Sequence, residues 1–354
     1  MRGMILGAGL GTRLRPLTAE TAKPALPVLN IPLIIYAISV LRQAGIKEIV
    51  INLHHAPESI RKILGSGRKF KVKIEYSYEA EILGTGGGIK KVQNFFKDES
   101  FVVINGDIIS GIDLTNAIAF HKDKDAIATM ILREDRQVEK YGIIGIDENN
   151  RICRFIDLIQ PKPKSGIIRN LMFTGIHIFS PQVFEYLPPE IEVCVNRYAY
   201  PRMIENKEGV FGFITDDFWS DLGTPLSFFE TNFRLLQNPG LIPFFDPFES
   251  YFHRPKREVD RTIRLGKDVV LKEGATLIDP VVIGDNTVVG KGSVIGPNAI
   301  IGSHCHIENA NQIEESILWN GAKTNPNMNL KRQILTPLHH LQISPDGKAT
   351  TLPS

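Results

Sequence analysis

Short apolar segments alternate with amphipathic ones along the first hundred residues of the chain. The apolar segments are rich in aliphatic and β-branched residues, which predicts buried strands, and the amphipathic ones repeat with the period of a helix. This alternation predicts an α/β domain with a mostly parallel sheet, helices on its faces and ligands at the carboxyl ends of its strands. We predict strands at 4–6, 48–53, 72–76 and 101–104, and helices at 32–44 and 57–64.

A second pattern begins after residue 260. An apolar residue recurs at every sixth position, ten times in succession, and glycine follows several of these residues. A hexapeptide period predicts a parallel β-helix, in which each six-residue side turns its apolar residue into the prism. The ten positions are Leu265, Leu271, Leu277, Ile283, Val289, Ile295, Ile301, Ile307, Ile313 and Trp319.

The two patterns divide the chain into parts. We predict an α/β domain over 1–240, a linker rich in proline and aromatic residues over 241–260, a short β-helix over 261–322 and an irregular tail over 323–354. A chain of 354 residues is long enough for one large and one smaller domain.

Composition excludes several classes of protein. A net charge of +2 offers no broad basic surface, so we expect no nucleic-acid partner. The sequence lacks a signal-peptide pattern and an apolar run long enough for a bilayer, so we expect a cytoplasmic protein without a membrane partner. Cys153, Cys194 and Cys305 lie too far apart for zinc-site spacing or a disulfide framework.

A glycine-rich segment follows the first predicted strand. It reads GAGLGTRLRPLTAETAKP from Gly7 to Pro24, with cations at Arg13 and Lys23. Glycines let the backbone approach a ligand and expose its N–H groups, and the two cations add mobile positive charge. The segment therefore predicts a polyphosphate-binding loop at the end of a strand.

Two common phosphate-loop motifs do not fit this segment. A dinucleotide fingerprint requires a third glycine where the chain has Thr12, and Pro16 follows too soon for a long helix. The Gly-Lys pairs at 266, 290 and 347 lack the Ser or Thr that completes a P-loop.

The whole segment resembles the signature loop of the sugar-1-phosphate nucleotidyltransferases, G-x-G-T-R-L-x-P-L-T followed by K-P. The resemblance covers residues 1 to about 240. It implies the Rossmann-like nucleotide-diphospho-sugar transferase fold, and in related families the appended hexapeptide coil is a left-handed parallel β-helix. It also implies the reaction, in which a sugar-1-phosphate oxygen attacks the α-phosphorus of a nucleoside triphosphate and pyrophosphate leaves.

The resemblance assigns roles to individual residues. Arg13 should hold the β- and γ-phosphates, and Lys23 should stabilise the transition state at the α-phosphate. Asp107, in Asn-Gly-Asp, and Asp221, in Trp-Ser-Asp-Leu-Gly-Thr-Pro, should bind Mg²⁺, although either aspartate alone would more often be a cap or turn residue. The residues expected to contact the nucleotide are Gly7, Ala8, Gly9, Gly11, Thr12, Glu81, Thr85, Gly86 and Gly106.

The run from Glu81 to Ile89 resembles the base-recognition segment of this family. Its glycines would let backbone groups reach the base edge, with Thr85 and Gly86 as the contacts. The alternative is that the run is a flexible loop before a helix. Glu81 either accepts a hydrogen bond from the amino group of guanine or is a surface carboxylate, and the sequence leaves both open.

On the sugar side, Tyr141, Gly142 and Gly175 match the family pattern, but the next motif departs from it. Relatives carry Glu-Lys-Pro after a strand, whereas this chain has Asp157 followed by Leu158. Asp157 can replace the glutamate, but Leu158 cannot replace the lysine that holds the sugar phosphate. Lys162 or Lys164 would then take that role, and the identity of the sugar stays open.

Among subgroups, the chain most resembles the mannose-1-phosphate guanylyltransferases, with GTP and a sugar-1-phosphate as substrates. The alternatives are uridylyl or thymidylyl transfer to glucose-, N-acetylmuramate- or heptose-1-phosphate, and a non-catalytic regulatory subunit. The β-helix should be an oligomerisation or allosteric platform, from which we expect a homo-oligomer. Acyl transfer there, with His304 and His306 as bases, is the remaining alternative.

Overall fold

A computed structural model describes residues 1–136, 138–155, 158–159, 169–189, 191–246 and 262–353. The chain forms two compact units. The first comprises Met1–Leu10, Thr21–Pro24 and Ile34–Trp219, and the second comprises Gly11–Glu20, Ala25–Leu33 and Ser220–Ser354. The predicted linker lies mostly outside the described residues, and the predicted domain bounds at 240, 260 and 322 stay predictions.

The described residues up to 246 form fourteen strands and seven α-helices. The strands are β1 (Arg2–Leu6), β2 (Pro27–Val28), β3 (Ile31–Pro32), β4 (Glu48–Leu53), β5 (Lys73–Tyr78), β6 (Phe101–Asn105), β7 (Ile108–Ser110), β8 (Ala128–Arg133), β9 (Ile144–Ile146), β10 (Ile152–Phe155), β11 (Leu158–Ile159), β12 (Arg169–Phe179), β13 (Val210–Ile214) and β14 (Trp219–Asp221). The helices are α1 (Leu33–Gln43), α2 (Pro57–Leu64), α3 (Gly84–Lys91), α4 (Leu114–Asp123), α5 (Val138–Tyr141), α6 (Val195–Glu205) and α7 (Pro225–Gln237).

One ten-stranded mixed sheet organises the first unit, in the order β11-β10-β9-β12-β6-β1-β4-β5, with β8 pairing β12 and β13. Strands β6, β1, β4 and β5 are parallel neighbours, as predicted. Strand β12 is antiparallel to β6, β8 and β9. The predicted α/β fold is therefore confirmed, with a mixed sheet in which β6, β1, β4 and β5 form a parallel part. The carboxyl ends of β1 and β6 place the Gly7 segment and Asp107 at one edge of the sheet.

Two neutral histidines are buried in the first unit. Burial lowers the pKa of His177 from 6.5 to about 3, and the pKa of His121 from 6.5 to about 4. The Nδ1 atom of His177 lies 2.7 Å from the Tyr200 hydroxyl, and the two ring nitrogens of His121 lie 2.9 and 3.0 Å from Thr129 Oγ1 and Ser180 Oγ. Both rings are therefore hydrogen-bonded in the folded protein.

We expect these two histidines to make the protein acid-sensitive. The unfolded chain binds their protons near pH 6.5 and the folded chain does not, so stability falls as the pH drops from about 6.5 towards 4. At pH 5 each histidine should cost about 2 kcal/mol of unfolding free energy. Urea unfolding at pH 7.5 and pH 5 measures this loss, and equal unfolding free energies at the two values would contradict it.

In the second unit, the described residues from 262 onwards form fourteen short strands. They are β15 (Ile263–Leu265), β16 (Val270–Leu271), β17 (Thr276–Leu277), β18 (Val281–Ile283), β19 (Val288–Val289), β20 (Val294–Ile295), β21 (Ala299–Ile301), β22 (His306–Ile307), β23 (Gln312–Glu314), β24 (Ser316–Leu318), β25 (Asn329–Lys331), β26 (Gln333–Leu335), β27 (His340–Ile343) and β28 (Ala349–Thr351). Three parallel ladders run through these strands and confirm the parallel β-helix.

The hexapeptide period is correct from Leu265 to Ile313 and fails at its last predicted position, Trp319. Ile283 pairs with Ile301, and both are fully buried. Ile301 then pairs with Leu318, so this coil is one residue shorter and Leu318 replaces the predicted Trp319 as the inward residue. In the first coil Leu271 pairs with Val289 as the period predicts, and it is 40% exposed.

The prediction of an irregular tail after residue 323 is wrong. Leu330 and Leu335 continue the coil by pairing with Ile313 and Leu318. Strands β27 and β28 then add to β26 as an antiparallel meander, which a six-residue period cannot reveal.

The β2–β3 hairpin packs within the second unit. At its turn Leu29 and Asn30 both have positive φ, 48° and 63°. The Leu29 N–H donates to Oδ1 of the buried Asn232 on α7, at 2.9 Å, and Nδ2 of Asn30 donates to the Ile301 carbonyl of the coil, at 2.6 Å. The hairpin is therefore tied to both α7 and the β-helix.

In the described parts of the chain, none of the helices has the length and apolar character that crossing a bilayer requires.

Candidate functional site

The glycine-rich segment starts on the first unit, where β1 ends. The Gly7 N–H donates to Oδ1 of Asn52 at 2.9 Å, and Nδ2 of Asn52 donates to Glu79 Oε1 at 2.8 Å. Asn52 is 2% exposed at the end of β4, next to β1 in the sheet. Ala8 is buried, but a Cβ on Gly9 would meet nothing within 4 Å, so the backbone at Gly9 is open to a ligand.

The next part of the segment belongs to the second unit. Gly11 has a φ of +62° and precedes a short 3₁₀ turn, Thr12–Leu14, that carries Arg13. The hydroxyl of Thr18 donates to the Gly11 carbonyl at 2.8 Å and so holds the turn closed. Thr12 and Arg13 are exposed.

Arg13 lies close to Asp221 in this unit. A Cβ at Gly223 would lie 2.7 Å from Oδ2 of Asp221 and 3.1 Å from both terminal nitrogens of Arg13. Only glycine at 223 therefore lets a guanidinium and a carboxylate approach the same point. The structure thus groups the predicted triphosphate cation with one of the two predicted metal ligands.

Lys23 and Asp107 form a second group, on the first unit. Lys23 is 6% exposed, and its Nζ lies 2.7 Å from Oδ2 of Asp107. The Gly106 N–H donates to the Leu6 carbonyl at 2.9 Å, and a Cβ there would lie 2.7 Å from the same oxygen. Glycine at 106 is thus required for β6 to leave the sheet beside β1, with Asp107 turned towards Lys23.

The predicted sugar-side residues Tyr141 and Gly175 are joined by a tryptophan. Gly175 has a φ of +86°, and a Cβ there would lie 2.8 Å from Nδ2 of Asn105. Trp219 Nε1 donates to the Thr174 carbonyl at 2.6 Å, and its ring meets Tyr141 edge-on with centroids 5.7 Å apart. Gly142 follows Tyr141 with a φ of +89°.

Three of these residues were not among the sequence-predicted contacts. Asn105 and Trp219 lie two positions before Asp107 and Asp221 in motifs identified from the sequence. That position in the sequence could have indicated that both residues belong to the site. Asn52 carries no such signal, because only the pairing of β4 with β1 brings it to Gly7.

The glycine run of the predicted base-recognition segment lies inside helix α3, not in a loop before a helix. A Cβ at Gly84 or Gly87 would lie 2.6 Å from the carbonyl oxygen of Val193 or Ile191, so the glycines permit close packing on that segment. The Gly86 N–H donates to Val193 O at 2.8 Å, and Thr85 Oγ1 accepts from the Val195 N–H at 2.9 Å.

These contacts give Thr85 and Gly86 partners within the protein, and their role in base recognition stays a prediction. Glu81 is exposed, which is compatible with either of its two interpretations. Asp157, Lys162 and Lys164 lie outside the described residues. The ligand of the sugar phosphate therefore also stays a prediction.

The described residues contain no cluster of three or more His, Cys, Asp or Glu side chains that could hold a metal ion. Mg²⁺ does not require one, because it commonly binds one or two carboxylates and completes its shell with water and phosphate oxygens. The Asp107 side chain is 35% exposed, and Asp221 is also partly exposed. Each aspartate thus fits a hard cation that arrives with a triphosphate.

In the β-helix, His304 occupies a turn with a φ of +57°, and His306 Nε2 lies 3.2 Å from Glu308 Oε1. The turn at His304 and the contact of His306 are both ordinary for the surface of the coil, and the described residues give no support to the acyl-transfer alternative.

The sequence is similar to those of known proteins. Residues 2–238 match the family described as Nucleotidyl transferase, and residues 262–297 and 280–313 match the one described as Bacterial transferase hexapeptide (six repeats). The UTP–glucose-1-phosphate uridylyltransferase of Synechocystis sp. is 31% identical over 308 residues, which are 80% of this chain and 78% of that protein. A mannose-1-phosphate guanylyltransferase of Mycobacterium tuberculosis is 31% identical over 226 residues, 64% of this chain and 62% of its own length.

A solved structure shows a similar fold. It is named as a glucose-1-phosphate thymidylyltransferase from Bacillus anthracis, and it is 26% identical, with a TM-score of 0.57, over 66% of this chain and 94% of its own. The matched residues 2–238 include Arg13, Lys23, Asp107 and Asp221. The chain therefore belongs to the nucleotidyl transferase family and is a sugar-1-phosphate nucleotidyltransferase that carries C-terminal hexapeptide repeats.

Proposed function

We propose that the protein transfers a guanylyl group from GTP to mannose-1-phosphate and releases pyrophosphate. The observation that carries the reaction class is the contact between Lys23 and Asp107 beside the glycine-rich segment. The choice of GTP and mannose rests on the sequence resemblance and on relatives named mannose-1-phosphate guanylyltransferase or guanyltransferase, from Mycobacterium tuberculosis and Gibberella zeae.

The chemistry needs little acid–base help from the protein. The phosphate oxygen that attacks is already an anion near neutral pH, so no general base has to create it. The barrier comes from bringing two polyanions together and moving charge to the leaving pyrophosphate. Fixed cations can supply that stabilisation, which explains why the site holds an arginine and a lysine in place of a catalytic histidine.

Arg13 would hold the β- and γ-phosphates, and Lys23 would follow the charge on the α-phosphoryl group. The Lys23 ammonium is largely shielded from water, so its attraction to a developing negative charge is stronger than that of a solvated lysine. Asp107 keeps this ammonium in place before the substrates bind. Mg²⁺, held by Asp107 and Asp221, would supply further neutralisation of the triphosphate.

The backbone from Gly7 to Thr12, together with Gly106, would surround the nucleotide, and Glu81, Thr85 and Gly86 would read the base. Tyr141, Gly142 and Gly175 would line the sugar site. Asp157 and Lys162 would bind the sugar-1-phosphate together with these residues.

Uridylyl or thymidylyl transfer to a glucose-type phosphate is the second candidate. The relative from Synechocystis favours it, since that match covers more of both chains than the guanylyltransferase of Mycobacterium tuberculosis does. A regulatory subunit without activity is less favoured, because such a subunit would be expected to have lost phosphate- or metal-binding residues. Assembly into a homo-oligomer through the β-helix and a cytoplasmic location are further parts of the proposal.

A substrate grid tests the proposed function. Pyrophosphate release would be measured for GTP, UTP, dTTP and ATP against the 1-phosphates of mannose, glucose, heptose and N-acetylmuramate, with Mg²⁺. We expect the highest kcat/KM for GTP with mannose-1-phosphate. The Lys23→Ala variant serves as the blank for contaminating activity. A preference for UTP or dTTP with glucose-1-phosphate would support the second candidate. The absence of turnover with every combination of nucleotide and sugar phosphate would support the hypothesis of a regulatory subunit.

A further inference from the structure

An open cavity of about 510 Å³ lies on the first unit at the amino ends of β4 and β5. Glu48 and Lys73, the first residues of these strands, line it together with Lys47, Arg68 and Lys71. The glycine-rich segment lies at the opposite, carboxyl end of the sheet. Six residues of β4 separate the two ends, a distance of roughly 17 Å. The cavity is therefore distinct from the nucleotide site.

Positive charge exceeds negative charge in this cavity. Glu48 is its one lining carboxylate, and Oε2 of Glu48 accepts a hydrogen bond from Nε of Arg2 at 3.0 Å, foremost among the causes that lower its pKa. Lys73 pairs with Glu75 at 3.1 Å. Across the described parts of the chain, no carboxylate pairs with the remaining three cations, Lys47, Arg68 and Lys71.

A buried arginine adds to the positive charge near this cavity. Arg2 is 8% exposed behind Glu48, and its Nη1 has no hydrogen-bond partner among the described residues. Its charge offsets that of Glu48, so the carboxylate does not neutralise the lysines. Since the whole chain carries a net charge of only +2, such an excess at one concavity is a local feature.

Backbone hydrogen bonds fix the two sides of this cavity. Phe70 and Val72 each donate an N–H to the Gly67 carbonyl, at 2.8 and 3.3 Å, which closes a tight turn carrying Arg68 and Lys71. Both apolar side chains of the turn are buried. The Lys73 N–H donates to the Lys47 carbonyl at 2.7 Å and joins the two sides of the cavity. The backbone of Lys47, Arg68 and Lys71 is therefore fixed around one cavity, and an anion bound there would relieve the repulsion between their like charges.

We propose that this cavity binds a small molecule that carries a phosphate or pyrophosphate group, at a site separate from the substrates. Lysine ammonium and arginine guanidinium groups are the side chains that bind such groups in proteins. The volume leaves room for more than a bare phosphate. The site does not depend on which sugar or nucleotide the enzyme uses.

Calorimetric titration with inorganic pyrophosphate tests the proposal. Pyrophosphate is also a product, so the titration is made in an Arg13→Ala/Lys23→Ala background that weakens the substrate site. We expect this background to bind one pyrophosphate per chain. Adding Lys47→Gln, Arg68→Gln and Lys71→Gln should abolish that binding, and Arg68→Gln alone should weaken it about tenfold. Ribose 5-phosphate should compete, which would show that an organic phosphate also enters.

The matched control adds Lys62→Gln, Lys272→Gln and Lys323→Gln, which remove the same charge from exposed positions elsewhere and should leave binding intact. Equal binding in the cavity variant and the control would overturn the proposal. Capture by phosphatidylcholine–phosphatidylglycerol vesicles without pyrophosphate binding would also overturn it. In the otherwise native chain the three cavity substitutions should leave basal turnover unchanged, so this test and the substrate grid can fail independently.

Discussion

Replacing Lys23 with alanine is expected to lower kcat by about 10²- to 10³-fold, with a smaller change in nucleotide affinity. The ammonium is almost fully buried and lies 2.7 Å from Asp107. In this position the ammonium can attract the negative charge that develops on the α-phosphoryl group in the transition state. Alanine at position 23 would remove that attraction. Pyrophosphate release at varied nucleotide concentration separates the effect on kcat from the effect on KM.

The control for this prediction is Lys62→Ala, which removes an exposed lysine and should leave both constants unchanged. A double variant, Lys23→Ala with Asp107→Asn, adds a test of the contact. Because the two side chains touch, the double variant should lose less activity than the product of the two single losses. An increase in KM with an unaltered kcat would show that Lys23 binds nucleotide without a special role in the transition state.

Asp107→Asn and Asp221→Asn should each reduce Mg²⁺-dependent turnover by at least about 10³-fold. Asparagine keeps the shape of the side chain but removes the charge that a hard cation requires. The fold should survive, since both aspartates are partly exposed and neither belongs to an apolar core. Initial rates over a Mg²⁺ titration, together with urea unfolding of each variant, distinguish lost metal binding from lost stability.

Asp216→Asn is the matched control for the aspartates. Asp216 is exposed and lies five positions before Asp221. The Asp216→Asn variant should therefore have the activity and stability of the native protein. Near-native rates in both Asp107→Asn and Asp221→Asn would remove the metal assignment. A loss in only one of them would leave a single carboxylate as the metal ligand.

The fold was predictable where local pattern determines burial. The strand predicted at 48–53 and the helix predicted at 57–64 have those bounds in the structure, because their apolar periods reflect one buried face. The prediction failed at Trp319, where the coil loses one residue. The pairing distance changes from 18 between Ile283 and Ile301 to 17 between Ile301 and Leu318, and a fixed period cannot register such a deletion.

The candidate site was predictable as a set of residues but not as an arrangement. Motifs single out Lys23 and Asp107, yet their contact joins positions 84 residues apart. Asn52 shows the limit most clearly. An asparagine at the end of a strand has no distinctive sequence context, and its hydrogen bond to Gly7 exists only because β4 pairs with β1.

The hydrogen bond from Asn30 to Ile301 bears on the time at which the enzyme becomes complete during synthesis. The two residues are 271 positions apart, and ribosomes add about 5–20 residues per second. The hairpin that follows the phosphate-binding segment therefore waits roughly 15 to 55 s for its partner in the coil. A nascent chain that ends between residues 225 and 301 carries every signature residue and still lacks this contact, which makes arrested chains of different lengths a direct way to ask when turnover first appears.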